Sequence, residues 1–223
     1  MIAPTEVKDK WFLDRHGKFT ASEIGKLLSK GTGSNMFGTG ALSYIKAKAI
    51  EKMTDLWERP EMDWVKSILH GKMYEAPAFD MYKTVTRNAS MRYFGSDEPL
   101  FLEHDKDSGG SPDGLMGEGD KIHLGLELKC PKNSHIHLDY YNFKNQYDLA
   151  DYNQDYYAQI QFLLMITKAE LFHFCSFDDR FKAPKMKIKV VEVYPDRKFQ
   201  DNLEIRLKMA IKERDRIVDS FIS

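Results

Sequence analysis

The segment IHLGLELKC, at residues 122–130, constrains the fold more than any other part of the chain. Its side chains alternate in character, and a period of two is typical of a β-strand. Leu126 and Leu128 share one face of such a strand, while Glu127 and Lys129 share the other. Because one face is apolar, we predict a central strand with that face buried.

Helical and extended patterns alternate along the rest of the chain. Helical spacing is found at 41–56, 62–82 (where Pro77 allows a kink or break), 135–150, 153–167 and 197–221. Thr20 and Glu23 fit a capping box that begins a helix at 20–29. Short strands are predicted at 90–94, 100–103, 171–177 and 186–194, and SGGSPDG at 108–114 is predicted to be a turn. About five strands among helices indicate an α/β fold, with a central mixed β-sheet flanked by helices.

The chain has 223 residues and no Pro-, Gly- or Ser-rich linker, so we expect a single domain over residues 1–223. Its formal net charge of -1 argues against a protein that coats nucleic acid by bulk charge. Any DNA would have to be held by a local groove. The first residues, MIAPTEVKDKWF, carry early charges, and no apolar run approaches the length of a membrane span. We therefore expect a soluble, cytoplasmic protein with no membrane partner.

The two cysteines, Cys130 and Cys175, lack the spacing of metal ligands. We expect reduced thiols in the core, with a disulfide as the alternative. Four clustered cysteines would be needed for an iron–sulphur cluster, and the sequence does not contain them.

Asp113, in the turn SPDG at 111–114, is a candidate to form a functional site with Glu127 and Lys129. If the flanking strands form a hairpin, its carboxylate converges with Glu127 and Lys129. Two carboxylates are hard oxygen ligands for Mg²⁺ or Mn²⁺, and the backbone carbonyl of Leu128 is a further candidate. Such an ion polarises a phosphate and lowers the pKa of bound water. Lys129 would orient or deprotonate that water, or stabilise charge on the phosphate. From these residues alone, a solvated strand face is an equally good interpretation.

Three blocks in a fixed order, SPDGL at 111–115, LELKCP at 126–131 and YAQIQ at 157–161, resemble the lambda exonuclease (YqaJ viral recombinase) family of the PD-(D/E)xK nuclease superfamily. The resemblance extends from Trp11 to Asp179 and implies a restriction-endonuclease-like core. The loop at 30–40 and the segment 135–153 do not match convincingly.

The resemblance also implies roles for individual residues. Asp113 and Glu127 would bind the metal, and Lys129 would be the catalytic lysine. Glu75, in HGKMYEAPA at 70–78, would be a third acid, although an exposed helix residue is the alternative. Gln159, rather than Gln161, would be the helical glutamine that positions the lysine, the water or the DNA.

A further block, W-x-x-x-R-x-G-x-x-T-A-S at 11–22, also resembles the family. It implies that Arg15 and Ser22 bind a terminal 5′-phosphate, with Ser111 as an additional contact. Arg offers a bidentate fork to phosphate, and a helix N-terminus favours an anion. Ile68 falls where the family carries an apolar wedge between base pairs. A surface cation, a helix residue and a core residue are the respective alternatives for Arg15, Ser22 and Ile68.

The function implied by the resemblance is a magnesium-dependent 5′-to-3′ exonuclease, with Mn²⁺ as a substitute, that acts on the ends of linear double-stranded DNA. It would release 5′-mononucleotides and leave 3′ single-stranded tails. A homotrimeric ring around DNA, and a phage or prophage role beside a single-strand annealing recombinase, are also implied. The alternatives are a related PD-(D/E)xK endonuclease and a catalytically inactive DNA-binding module.

Overall fold

The computed structural model describes residues 10, 12–33, 35–54, 65–95, 98–119 and 121–222, with the backbone alone at 65–68. A mixed five-stranded sheet forms its centre. The strands, in order across this sheet, are β2 (Arg92–Tyr93), β5 (Gly114–Glu118), β6 (Lys121–Lys129), β7 (Leu171–Phe177) and β8 (Ile188–Val193). Strand β6 pairs antiparallel with β5 and parallel with β7. The prediction of a central strand at 122–130 is confirmed.

A separate three-stranded sheet lies beside the first. Its order is β1 (Phe19–Thr20), β4 (Ser108–Gly110) and β3 (Leu102–Asp105), with β1 and β4 parallel. The prediction of a turn over 108–114 is therefore wrong in its first half, because β4 is a buried strand. A Cβ atom on Gly110 would lie 2.7 Å from the Cβ of Ala21, so this glycine is required for close packing. The glycines of this segment were interpreted as turn residues, whereas they allow two elements to approach closely.

Six α-helices and two short 3-10 helices complete the described part of the chain. The 3-10 helices are Ala21–Leu28 and Pro184–Met186. The α-helices are α1 (Thr39–Met53), α2 (Val65–Thr86), α3 (Ser134–Tyr141), α4 (Gln146–Tyr152), α5 (Gln154–Thr167) and α6 (Arg197–Ile222).

Two local predictions about the helices are wrong. Thr20 precedes the first 3-10 helix but makes no side-chain cap. Its hydroxyl lies 3.4 Å from Ser22 Oγ, and its backbone N–H, which Glu23 would accept from in a capping box, donates to Tyr44 Oη instead. The predicted helix at 135–150 is two helices, because a capping box at Asn145 and Asp148 starts a new one.

Helix α2 continues through Pro77 without a break. Residues 62–64, where the predicted helix begins, lie outside the described residues. Pro77 lacks the N–H that would bond to the Met73 carbonyl, and Met73 is 69% exposed, so this helix position faces solvent.

Both faces of the central sheet are buried. Leu126 and Leu128 pack in one cluster with Ala78, Phe79 and Tyr82 of α2. A larger cluster joins β7 and β8 to α5, α6 and the first 3-10 helix. The predicted α/β fold, a central mixed sheet flanked by helices, is confirmed, with the small second sheet as an addition. None of the described helices is long and apolar enough to cross a membrane, and both cysteines are free thiols.

Candidate active site

The hairpin of β5 and β6 brings Asp113 against the strand that carries Glu127. Gly114 pairs with Leu126, and the preceding Asp113 donates its backbone N–H to the Leu126 carbonyl at 3.1 Å. Asp113 Oδ2 accepts a hydrogen bond from the Leu128 N–H at 2.6 Å. The N–H and C=O of one strand residue point to the same side, so the Leu128 carbonyl is also directed toward the edge where Asp113 lies.

Glu127 is a buried carboxylate, 2% exposed, with an asymmetric set of partners. Its Oε1 accepts from Lys129 Nζ and from Gln159 Nε2, both at 2.6 Å. Its Oε2 is the buried side-chain atom that, among the described residues, has no hydrogen-bond partner. Leaving such an oxygen unsatisfied costs about 1–3 kcal/mol, and more for a charged group. A cation bound at Oε2 would remove that cost.

Glu75 joins the acidic cluster from helix α2. Its Oε2 accepts from Tyr93 Oη at 3.2 Å, across from β2. Burial raises the pKa of Glu75, and the charge of Glu127 raises it further, against the opposing effects of Tyr93 and Lys129. Glu75 therefore interacts electrostatically with Glu127 and Lys129 of β6.

Asp113 carries the strongest electrostatic signature of the three acids. Burial raises its pKa well above the ordinary value, and the charge of Glu127 adds to the effect. Lys129 and the Leu128 N–H oppose the rise without cancelling it. Three carboxylates beside one ammonium form an environment that favours additional positive charge.

The arrangement of carboxylates suits Mg²⁺ that keeps several water ligands better than a metal ion coordinated entirely by side chains. Among the described residues, no group of three or more His, Cys, Asp or Glu side chains has the spacing of a metal site. Mg²⁺ usually keeps several waters and binds through one or two carboxylates. Asp113 and Glu127, with the unpartnered Oε2, suit that mode. Ligation by these two acids, by the Leu128 carbonyl and by Glu75 stays a prediction.

Lys129 is held between an anion and an aromatic ring. Besides Glu127, its Nζ lies 3.4 Å from Gln159 Oε1 and 4.6 Å from the centre of the Tyr156 ring. Burial by itself lowers the pKa of Lys129, but Glu127, Tyr156 and Asp113 outweigh that effect and raise it. The side chain thus has a fixed place and a stable ammonium in this structure.

The two glutamines of α5 face different partners. Gln159, 6% exposed, contacts Glu127 and Lys129. Gln161 instead donates to the Tyr194 carbonyl at 2.9 Å and accepts from Gln200 Nε2 at 3.0 Å. The structure therefore brings Gln159, and not Gln161, to the acidic cluster.

Arg15 and Ser111 form a second polar cluster beside the first. The guanidinium, in a side chain 9% exposed, donates to Ser111 Oγ and lies 4.8 Å from the centre of the Phe101 ring. Burial lowers the pKa of Arg15 to about 10, against the raising effect of Asp14. The cation is thus oriented by a hydroxyl and an aromatic face.

Ser22 is exposed and follows β1, which pairs with the strand that leads to Ser111. Strands β1 and β4 run parallel with Thr20 opposite Gly109. The residues that follow each strand, Ser22 and Ser111, therefore leave the sheet at the same end. Ser111 is in turn two residues from Asp113, a separation of at most about 7 Å along an extended chain.

The side chains of two residues in the predicted blocks lie outside the described residues. Ile68 is on helix α2, but only its backbone is described, and all of Trp11 lies outside the described ranges. The wedge role of Ile68 therefore stays a prediction.

Three aromatic residues of the site were not predicted from the sequence. They are Tyr93 against Glu75, Tyr156 against Lys129, and Phe101 against Arg15. Tyr156 had a usable signal, because it precedes Gln159 by three residues and so shares a helix face with it. Tyr93 and Phe101 have no local signal, since their partners are distant in sequence.

The family model of the YqaJ-like viral recombinase domain matches residues 10–170. Comparison with curated protein sequences gave no match.

Several solved structures share the fold. An alkaline exonuclease from Laribacter hongkongensis is 21% identical, with a TM-score of 0.75 over 96% of this chain and 95% of that one. The same enzyme in complex with dAMP is 20% identical, with a TM-score of 0.75 and the same coverage. A phage-related exonuclease from Haemophilus somnus 129PT is 14% identical, with a TM-score of 0.71 over 92% of this chain and 96% of that one. These likenesses establish a common α/β architecture along nearly the whole chain.

Proposed function

Because the chain belongs to the YqaJ-like viral recombinase domain family, we propose that it is a magnesium-dependent nuclease that removes nucleotides from the 5′ ends of linear double-stranded DNA. The family resemblance predicted from the sequence blocks is confirmed by the match over residues 10–170. The observation that carries the proposal is Glu127 Oε2, a buried carboxylate oxygen without a partner on the strand that Asp113 contacts.

The comparisons support an end-directed nuclease. Among the solved structures that share the fold are an alkaline exonuclease, also solved in complex with dAMP, and a phage-related exonuclease. A nucleoside monophosphate is the type of product that an exonuclease releases. We extend that activity to this chain as part of the proposal.

Asp113 and Glu127 would hold Mg²⁺, for which Mn²⁺ is a substitute, together with the Leu128 carbonyl. When bound, the ion would polarise the scissile phosphate and lower the pKa of a water molecule. Glu75 would contribute negative charge at the same site. Although the whole chain has a net charge of only -1, these clustered acids would create a local negative charge that attracts a cation.

Lys129 and Gln159 would act on the water and the phosphate. Both donate to Glu127 Oε1, so each is already oriented before DNA binds. Hydrolysis adds water oxygen to phosphorus, breaks the bond between phosphorus and O3′, and returns a proton to O3′. Lys129 would orient the water or stabilise the charge that develops on the phosphate oxygens.

Arg15, Ser22 and Ser111 would bind the terminal 5′-phosphate. A buried guanidinium held by a hydroxyl is preorganised for an anion. The backbone link from Ser111 to Asp113 puts this cluster close to the acids, on the scale of one nucleotide. Cleavage there would release a 5′-mononucleotide and create a new 5′-phosphate for the same pocket.

We also propose the wider setting that the family implies. The enzyme would act as a homotrimer that encircles duplex DNA, and leave 3′ single-stranded tails. Those tails would pass to a single-strand annealing recombinase in phage or prophage recombination, in the cytoplasm of a bacterial host.

The decisive experiment is digestion of end-labelled linear duplexes that differ only in a 5′-phosphate or a 5′-hydroxyl. With Mg²⁺ or Mn²⁺, we expect release of 5′-mononucleotides, faster from the phosphorylated end, and no release with a chelator. Arg15→Gln should abolish the preference between the two ends, whereas Arg87→Gln, at an exposed arginine, should retain it. Equal rates of the wild-type enzyme on both ends would contradict the 5′-phosphate pocket.

Catalysis is tested separately with Lys129→Ala. We expect cleavage to fall by at least about 100-fold, because a fixed cation is lost from the developing charge. The fold and end binding should persist, as measured by circular dichroism and by DNA binding in chelator. Lys132→Ala, three residues further along, is the matched control and should cleave normally. Loss of the fold in Lys129→Ala would show instead that this lysine is structural.

The rival functions give different outcomes in the same assay. A related endonuclease would cut closed circular DNA, which has no ends. An inactive DNA-binding module would leave linear duplex intact with either metal.

A further inference from the structure

The segment that joins β7 to β8, residues 178–187, has a local charge unlike that of the whole chain. We call it the β7–β8 loop. Residues 178–187 contain one arginine, three lysines and two aspartates, Asp178 and Asp179, and so carry a net charge of +2, whereas the complete chain has a net charge of -1. The loop therefore carries a local excess of positive charge.

Arg180 holds the β7–β8 loop in place through an ion pair and hydrogen bonds to backbone carbonyls. This side chain pairs with the buried Asp178 and donates to the backbone carbonyls of Pro131 and Lys132, at 3.1 and 2.8 Å. Pro131 and Lys132 directly follow β6. Arg180 therefore fixes the loop to the segment that leaves the strand of Glu127 and Lys129.

His137 braces the other end of the loop. Its Nε2 donates to the Met186 carbonyl at 2.8 Å, so its Nδ1 accepts from Ser176 Oγ at 2.8 Å. The ring is fully buried and lies 5.2 Å from that of Phe181. The Asp178 N–H closes the loop on the Lys187 carbonyl at 2.9 Å. Such fixed contacts preorganise the backbone, which lowers the entropy cost of binding a partner.

The position of the loop relates it to the acidic cluster. Strands β6 and β7 run parallel, and Lys129 pairs with Ser176. The β7–β8 loop begins two residues later, so it lies beyond the same end of the sheet as Lys129.

The lysines of this loop make no ion pair with any of the described residues. Lys182 and Lys185 are exposed and Lys187 is half-buried. Across the part of the chain that the structure describes, the ion pairs include none of these three lysines. Arg180, by contrast, is committed to Asp178. A braced loop thus presents three cations to the outside.

We propose that the β7–β8 loop binds the phosphate backbone of the duplex DNA substrate beside the active site, through Lys182, Lys185 and Lys187. This inference rests on the proposed nuclease function. Lysine contacts to phosphate position a duplex without reading its sequence, which suits an enzyme that degrades any sequence. The loop also supplies the local positive surface that a chain with near-neutral net charge needs to hold DNA.

The test is the salt dependence of binding to a short blunt duplex, measured by fluorescence anisotropy in chelator so that no cleavage occurs. The variant K182Q/K185Q/K187Q is compared with K46Q/K198Q/K212Q, which removes three exposed lysines from α1 and α6. We expect the slope of log K against log salt to fall in magnitude by about 0.9 for each phosphate that the variant no longer neutralises, and so by about 2 to 3 in the loop variant. The control variant should keep the wild-type slope.

Two results would overturn the inference: an unchanged slope in the loop variant, or an equal change in both variants, which would indicate bulk charge. Thermal unfolding of both variants should match that of wild type, since none of the six replaced ammonium groups makes an ion pair with a described residue. Because binding is measured without metal, it is independent of cleavage. A chain that binds through the loop but does not cut DNA would refute the proposed function and leave this inference standing.

Discussion

The residues of the candidate site depend on one another through Glu127. Lys129 and Gln159 both donate to Glu127 Oε1, which leaves Oε2 for a cation. Removal of either donor would leave Oε1 with a single partner and alter the charge that a bound cation would meet. Substitutions at these positions should therefore be strongly non-additive.

Tyr156 offers a cleaner test at the scale of one residue, because it contacts Lys129 through its ring. The ammonium lies 4.6 Å from the ring centre, and a cation–π contact is worth about 0.5–2 kcal/mol. We expect Tyr156→Leu to lower kcat by about 2- to 30-fold with little change in KM, because the lysine loses one of its supports.

Tyr156→Phe is the matched control for that prediction, since it keeps the ring and removes the hydroxyl. Steady-state cleavage of a labelled duplex should give a kcat for this variant near that of wild type. If the phenylalanine and leucine variants lost activity equally, the hydroxyl rather than the ring face would be the important group.

At the scale of elements, the site depends on how closely the first 3-10 helix approaches α5. A Cβ atom at Gly25 would lie 2.8 Å from the Cα of Asp155, which is backbone of α5 and cannot rotate away. The close approach keeps α5, which carries Gln159 and Tyr156, beside the segment that follows β1 and carries Ser22. The two polar clusters are thus held together by helix packing as well as by the link from Ser111 to Asp113.

Gly25→Ala should therefore lower the free energy of unfolding by about 1–3 kcal/mol, the usual cost of overpacking. Gly40→Ala is the control, because its added methyl would meet nothing closer than 3.9 Å and α1 favours alanine. Chemical denaturation of the two variants measures the difference. A stable Gly25→Ala protein would show that the helices can separate without loss.

Arg206 and Arg214 attach helix α6 to the segments around β1 by hydrogen bonds. Arg206 donates to the carbonyls of Ser29 and Met36, at 2.8 and 2.9 Å, where the 3-10 helix ends. Arg214 donates to the Gly17 carbonyl at 2.9 Å and to Asp107 at 2.8 Å. The C-terminal helix thereby satisfies backbone groups on the segments around β1, close to Arg15.

On the scale of the whole molecule, a near-neutral charge limits how tightly one chain can hold DNA. The β7–β8 loop and the Arg15 cluster are local sites, and neither encircles a duplex. The ring implied by the family would retain DNA by topology instead of by bulk charge.

We accordingly expect a native mass of three times the 25.9 kDa of one chain, measured by light scattering after size exclusion. A ring that has loaded on an end should also degrade that molecule to completion after excess unlabelled duplex is added. A mass of one chain both with and without DNA would contradict the trimer, and the unlabelled duplex would then stop digestion at once.

Much of the acidic cluster of the candidate site could be predicted from the sequence because its residues lie close together along the chain. The alternation over 122–130 placed Glu127 and Lys129 on one face of a central strand, and the nearby SPDG segment supplied Asp113. The short antiparallel hairpin of β5 and β6 then brought these residues together. The roles of the individual residues came from the family resemblance and stay predictions for experiment.

The remaining features were decided by tertiary structure. The contact of Arg15 with Ser111 spans 96 residues, and the contact of Tyr93 with Glu75 joins a strand to a helix. The identity of β4 as a buried strand and the bracing of the β7–β8 loop by Arg180 and His137 likewise have no signal in local periodicity. Periodicity reports which face a residue occupies within its own element, whereas these contacts depend on which elements pack together, and that is settled when the whole chain buries its apolar surface.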